Sequence, residues 1–152
     1  MDYDIFVYSR PSTHISRQIV EIASLLTAEW FTANVPEDIS RDLLYQDAVC
    51  LCVEGRVVCF LQFTCMDGAM HINLMGTHPD YRGQGYGTVL LRYFFRYVKS
   101  LGMDSVKLYT VPPDTKPAYL PTLRFYERNG FRIVKRYDEL WESGAIEMVK
   151  EL

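Results

Sequence analysis

The sequence is short of the features that mark several large classes of protein. Lysine and arginine (16) do not outnumber aspartate and glutamate (19), leaving a formal charge of −3, so the basic footprint of a general nucleic-acid binder is missing. No apolar run approaches the ~20 residues that cross a bilayer. Met1-Asp2-Tyr3-Asp4 lacks the charged region and apolar run of a signal peptide. The expectation is a soluble, cytoplasmic protein with neither a nucleic-acid nor a membrane partner. Histidine is scarce: His14, His71 and His78 form no H-E-x-x-H motif. The four cysteines, Cys50, Cys52, Cys59 and Cys65, crowd into one apolar segment without a C-x-x-C pair. That pattern reads as buried reduced thiols, and no metal is expected. Repeats, low-complexity tracts and linkers are also wanting. What remains is an ordinary globular balance, 49% hydrophobic and 23% charged over 152 residues, which fits a single domain spanning 1–152 with its own core.

The periodicities alternate between helix and strand. Ile5 to Tyr8 reads as a first strand. Ile15, Ile19, Ile22, Ala23 and Leu26 recur at helical spacing in a segment running to Trp30, with Thr13 near its N-cap. Pro36 opens a second, shorter helix. Ala48 to Glu54 and Arg56 to Met66 are β-rich runs joined at Glu54-Gly55. Asp67-Gly68 marks another turn before a strand from Met70 to Thr77. A helix is predicted over Gly85 to Leu101, stopped by Gly102, then a strand over Val106 to Val111. A Pro-rich loop precedes a helix over Pro121 to Asn129, which Gly130 stops. Strands at Phe131 to Tyr137 and Ala145 to Val149 complete the order. This order predicts an α+β fold with a mixed, mostly antiparallel central sheet of six to seven strands flanked by helices.

The chemistry concentrates where the strand ending at Thr77 runs through Thr77-His78-Pro79-Asp80-Tyr81-Arg82-Gly83-Gln84-Gly85-Tyr86-Gly87 into a helix. Amides at a helix start lack partners and sit at the positive end of the macrodipole, so they attract phosphate oxygens. Gly83, Gly85 and Gly87 let a phosphate approach the main chain closely, and Arg82 offers a charge-assisted donor. A P-loop would end in Gly-Lys-Ser/Thr, and here Gly87-Thr88 carries no lysine. A dinucleotide fingerprint needs a third glycine where Thr88 stands. The spacing that fits is R-x-x-G-x-G.

With its strand-loop-helix context, this segment resembles the pyrophosphate loop of the GNAT acetyltransferases. Arg124-Phe125-Tyr126-Glu127-Arg128-Asn129-Gly130-Phe131 resembles the second signature of that family, about 40 residues downstream. The resemblance implies an enzyme that moves an acetyl group from acetyl-CoA to a primary amine, on a small molecule or a peptide, by direct attack. The pyrophosphate would rest on Arg82, Gly83, Gln84, Gly85, Tyr86, Gly87 and Thr88. The pantetheine arm would pair with Leu74, Met75, Gly76 and Thr77, amides near Met75 would hold the oxyanion, and Tyr126 would protonate the leaving thiolate. His71 falls where some members place a glutamate base; it reads either as that base or as a polar residue of a solvent-facing strand. Glu29 and Glu54 are weaker candidates. An asparagine common before the tyrosine is replaced here by Tyr119, so that contact is not carried over. Arg124, Arg128 and Arg132 are within reach of a 3′-phosphate, although the first two read rather as a solvated helix face. Trp30, Phe31, Tyr45 and the Pro112–Tyr119 loop would be core or would wall the acceptor site. No cysteine stands at either motif, which argues against an acyl-cysteine route. The rival reading is a non-catalytic acyl-CoA sensor, and a homodimer pairing through Ala145–Val149 stays open.

Overall fold

Residues 2–152 are described by the structure, a computed structural model. The elements follow as β1 (Asp4–Tyr8), α1 (Thr13–Leu26), α2 (Val35–Asp42), β2 (Asp47–Val53), β3 (Arg56–Met66), β4 (Ala69–Thr77), α3 (Tyr86–Ser100), β5 (Ser105–Thr110), α4 (Leu120–Arg128), β6 (Arg132–Tyr137) and β7 (Ala145–Glu151). The seven strands form one sheet in the order β1-β2-β3-β4-β5-β7-β6. β4 and β5 run parallel, whereas β1–β2, β2–β3, β5–β7 and β6–β7 are antiparallel. The α+β class and the strand count expected from the sequence are the ones found.

The chain divides into two compact units, one holding the residues up to Thr64 together with Leu74–Phe94, the other Cys65–Asn73 together with Phe95–Leu152. In the first, the helical spacing of Ile19, Ile22, Ala23 and Leu26 turns one face of α1 into a core with Ile39 and Leu43, Cys50 of β2 and Phe60 of β3. Each buried Leu, Ile or Phe adds roughly 1.5–3 kcal/mol. Ser12, not Thr13, caps the helix, accepting from the Ile15 amide at 3.4 Å. α1 ends at Leu26 rather than Trp30, because the Leu26 carbonyl accepts from the amides of Glu29, Trp30 and Phe31 at 3.3, 3.0 and 3.2 Å. Trp30 and Phe31 therefore lie in a turn, half-buried against the core, while Tyr45 is 82% exposed and belongs to no core. Glu54 and Gly55, at φ +51° and +78°, form the left-handed pair that a two-residue hairpin requires.

Gly76 is needed for a different reason. A Cβ there would come within 2.7 Å of Leu26 Cδ1 and 3.1 Å of Phe60 Cε1, and both neighbours are buried. β4 thus crosses the first core at a distance that only glycine permits.

In the second unit, Val106, Leu108 and Thr110 are buried and alternate along β5 with the more exposed Ser105, Lys107 and Tyr109. β7 lies between β5 and β6 and is paired on both sides, so Ala145–Val149 offers no open ladder to a second copy. Among the described residues the sheet ends at β1 and β6. The expectation of four buried thiols holds for Cys50, Cys52 and Cys59; Cys65, near the end of β3, is exposed.

Gly76→Ala should destabilise the protein by about 1–3 kcal/mol through overpacking, read as a lower urea midpoint at unchanged slope. An unchanged midpoint would show that Leu26 and Phe60 yield at no cost.

Candidate active site

The loop between β4 and α3 is built from local hydrogen bonds. The His78 amide donates to the Val58 carbonyl at 2.7 Å, and the His78 carbonyl accepts from the Tyr81 amide at 2.9 Å. His78 Nδ1 accepts from the Asp80 amide at 3.1 Å, closing a 3-10 turn over Pro79–Tyr81. His78 is consumed by this turn. Gly83 and Gly85 follow at φ +72° and +81°, a region that side-chain-bearing residues avoid, and a Cβ on either would meet nothing within 4 Å. The main chain is accordingly open on that side of the turn.

Gly85 is where helix begins: its carbonyl accepts from the Val89 amide at 3.0 Å. The amides of the first turn, Tyr86, Gly87 and Thr88, have no intrahelical acceptor, and that turn carries no acidic residue. A 15-residue helix adds its dipole to these donors. Tyr86 is buried and its ring meets Tyr3 and Tyr81 edge-on or tilted, at 6.4 and 6.3 Å, which fixes the start of α3 in place.

Arg82 is engaged more fully than the sequence implied. Its Nη1 donates to Glu29 Oε1 and Oε2 at 2.8 and 3.0 Å, and its guanidinium lies 4.4 Å above the Trp30 ring centre. Nη2 is shut off from solvent and has no hydrogen-bond partner among the described residues. One edge of the guanidinium thus holds the turn after α1, and the other keeps donor capacity. Glu29, a weak candidate base, is committed to this pair. Glu54 lines a cavity of about 450 Å³ with Asp2, Tyr3, Asp4, Val53 and Gly55, and no other predicted site residue lines it. Cys59 is buried, its thiol pushed up to about 12 by desolvation, with Thr77 Oγ1 3.2 Å from its sulfur. Such a thiol is not a nucleophile at neutral pH.

In the second unit, His71 of β4 is 8% exposed and is not the solvent-facing residue of the blander reading. It stands in register with Lys107 of β5, and the β4–β5 ladder comprises Met70, His71 and Ile72 with Val106, Lys107 and Leu108. Burial lowers the imidazole below its ordinary value and Lys107 adds to the shift, against Asp67, Glu147 and a main-chain hydrogen bond with Met66. A neutral imidazole at neutral pH can accept a proton. Asn73, two residues on, is exposed.

Tyr126 belongs to a Schellman closure of α4. The Phe131 amide donates to the Tyr126 carbonyl and the Gly130 amide to the Glu127 carbonyl, both at 3.0 Å, with Gly130 at φ +92°. The Tyr126 ring, 9% exposed, packs edge-on against Phe125 and Phe131 at 5.5 Å each. The Phe-Tyr-Glu…Gly-Phe signature therefore has a packing cause as well as a chemical one. Arg124 and Arg128 are exposed on α4, and Arg132 pairs with Glu151 at 3.1 Å. Tyr119 precedes α4 with Lys116 Nζ 5.5 Å from its ring centre, and burial raises its phenol.

The sequence pattern did not single out a group on β5, β7 and β6. Tyr109 and Tyr137 both donate to Glu147 Oε1, at 3.2 Å each, and Trp141 packs on Tyr109 at 6.3 Å. The residues come from three segments, and only the β5-β7-β6 order reveals the group.

Residues 46–133, more than half of the chain, match the Acetyltransferase (GNAT) domain, and the chain belongs to this family. Solved structures agree on the fold. The PaiA N-acetyltransferase of Thermoplasma acidophilum in complex with coenzyme A is 16% identical, covers 100% of both chains and superposes with a TM-score of 0.74. A GNAT family acetyltransferase from Elizabethkingia anophelis with acetyl-CoA bound is 15% identical, with 99% and 98% coverage and a TM-score of 0.76. An aminoglycoside 6′-acetyltransferase of type Ii is 21% identical, with 97% and 96% coverage and a TM-score of 0.76. A search of curated proteins gives no match.

The His71 environment yields a signed prediction. Protonation is harder in the folded chain than in the unfolded one, so the His71 contribution to stability is full above the unfolded value near 6.5. It is lost as pH falls from there toward the lowered folded value. Denaturation midpoints of the wild type should therefore drop between roughly pH 7 and pH 5 more steeply than those of His71→Asn. Parallel curves would show that His71 is protonated equally in both states.

Proposed function

We propose that this chain is an N-acetyltransferase that carries an acetyl group from acetyl-CoA to a primary amine by direct attack. The observation that carries the reading is the open glycine turn at Gly83 and Gly85 leading into the first turn of α3, whose amides lie at the positive end of a 15-residue helix. That arrangement favours a dianionic pyrophosphate and gives little to a neutral ligand.

The remaining roles follow from chemistry that the residues can perform. Main-chain groups of Leu74, Met75, Gly76 and Thr77 lie beyond the three-pair β4–β5 ladder; they pair with the pantetheine arm as a strand would. Amides near Met75 stabilise the oxyanion that develops as the thioester carbonyl is attacked. The amine must be neutral to attack, and His71, neutral itself, takes its proton directly or through water. Tyr126 gives its phenolic proton to the departing thiolate. A phenol near ~10 and a thiol near ~8.5 are mismatched in water, so the site must favour the phenolate for the step to run. The Cys59 environment supports direct transfer over an acyl-cysteine route.

Tyr126→Phe separates the enzyme from a sensor that binds acyl-CoA without turnover. The ring packing survives the change, so acetyl-CoA affinity should stay within about twofold while kcat falls by about 10²-fold or more. Thiol release with an amine panel and calorimetry with acetyl-CoA measure the two quantities. An unchanged kcat would remove Tyr126 from the chemistry, and wild-type protein that binds but never turns over would favour the sensor.

A further inference from the structure

The face shared by β5, β7 and β6 carries a carboxylate, Glu147, that two phenols hold and no ion pair within 4 Å neutralises among the described residues. Glu147 stands in register with Tyr109 on one side and Lys135 on the other. Both phenols, Tyr109 and Tyr137, donate to Oε1 of Glu147 at 3.2 Å. Among the described residues Glu147 enters no ion pair within 4 Å. Lys135, its neighbour across the ladder, places its ammonium 4.7 Å from the Tyr137 ring centre instead.

Aromatic rings wall this carboxylate. Tyr109 meets Tyr137 at 6.1 Å and Trp141 at 6.3 Å, with interplanar angles of 65° and 71°. Trp141 is 48% exposed and Tyr109 37%, so neither is there to fill a core. Trp141 is also held at φ +61°, a left-handed conformation that costs a bulky residue about 1–2 kcal/mol. Exposed, strained aromatic surface beside a carboxylate with no ion pair within 4 Å is the composition that binds organic ammonium groups, through Coulomb attraction and the ring quadrupole together. A metal is a poorer fit: among the described residues no three His, Cys, Asp or Glu side chains gather to hold one.

We propose that Glu147, Tyr109, Tyr137 and Trp141 form a binding site for an organic ammonium, and that the acceptor is a diamine or polyamine whose non-reacting ammonium sits there. The second half of this statement rests on the acetyltransferase reading; the first does not. The nitrogen that is acetylated must lose its proton, and a carboxylate lined by rings opposes that loss. The site therefore suits a second nitrogen that stays charged throughout. His71 and Lys107 lie on the same sheet face, in register with each other, with Lys107 two residues before Tyr109 on β5.

Calorimetric titration of the full chain with spermidine, n-butylamine and 1-butanol at physiological salt tests the site. Spermidine should bind at least tenfold more tightly than n-butylamine, and 1-butanol should not bind. Glu147→Gln keeps an acceptor for both phenols; it should weaken spermidine by tenfold or more while leaving acetyl-CoA affinity and the thermal midpoint unchanged. Trp141→Leu should weaken spermidine severalfold. Spermidine that fails to bind, or that binds equally to wild type and Glu147→Gln, overturns the proposal. Glu147-dependent spermidine binding without any acetyl transfer would leave the ammonium site standing and remove the acetyltransferase reading. Transfer to n-butylamine with Glu147-independent spermidine binding would do the reverse.

Discussion

The first turn of α3 begins at Gly85, whose φ of +81° and whose carbonyl bond to the Val89 amide set the direction in which the helix leaves the loop. A residue with a Cβ would resist this conformation by about 1–2 kcal/mol. It would also fill the open side of the turn, where a Cβ now meets nothing within 4 Å. Both conditions, the start of the helix and the room beside it, come from one residue. The neighbouring elements serve to keep that turn still. Gly76 lets β4 pass close to Leu26 and Phe60, the 3-10 turn at Pro79–Tyr81 redirects the chain, and Tyr86 is wedged between Tyr3 and Tyr81.

Arg82 illustrates how a charge beside the proposed pyrophosphate turn can act on its neighbours within the fold. Its pair with Glu29 is partly exposed, with side chains 34% and 48% accessible, so the ion pair alone contributes little stability, about 0–1 kcal/mol. The stack on Trp30 and the contacts of Nη1 with both carboxylate oxygens give it a direction. Loop and turn are thereby held in one arrangement, and the solvent-shielded Nη2 keeps a donor in reserve.

Much of this was legible in the sequence because the signals are local. Glycines at 55, 68, 83, 85, 102 and 130 all adopt positive φ and punctuate the elements where turn chemistry says they should. The apolar spacing of α1 and the alternation in β5 placed the core. The signature around Tyr126 could be found because a Schellman closure spans only six residues. What escaped was set by long-range geometry. Glu29 meets Arg82 across 53 residues, and no pattern in either segment announces it. α1 stops at Leu26 because its carbonyl takes three amides from the following turn, a choice that helical periodicity does not encode. The insertion of β7 between β5 and β6 closed off the C-terminal strand as a dimer seam, and it also gathered Tyr109, Glu147 and Tyr137. His71 read in sequence either as a base or as a polar residue of a solvent-facing strand, and the choice was not local: its burial shows only with β5 beside it.

The claim at the centre of this account is that the α3 turn holds a pyrophosphate. The most direct measurement compares, by calorimetry on the wild type and on Gly85→Ala, the affinity for acetyl-CoA with that for S-acetylpantetheine, which lacks the pyrophosphate. The wild type should bind acetyl-CoA at least about 10²-fold more tightly, a difference of about 2.8 kcal/mol, and Gly85→Ala should lose most of that advantage while its affinity for S-acetylpantetheine is kept. Equal affinities for the two ligands on the wild type would contradict the account.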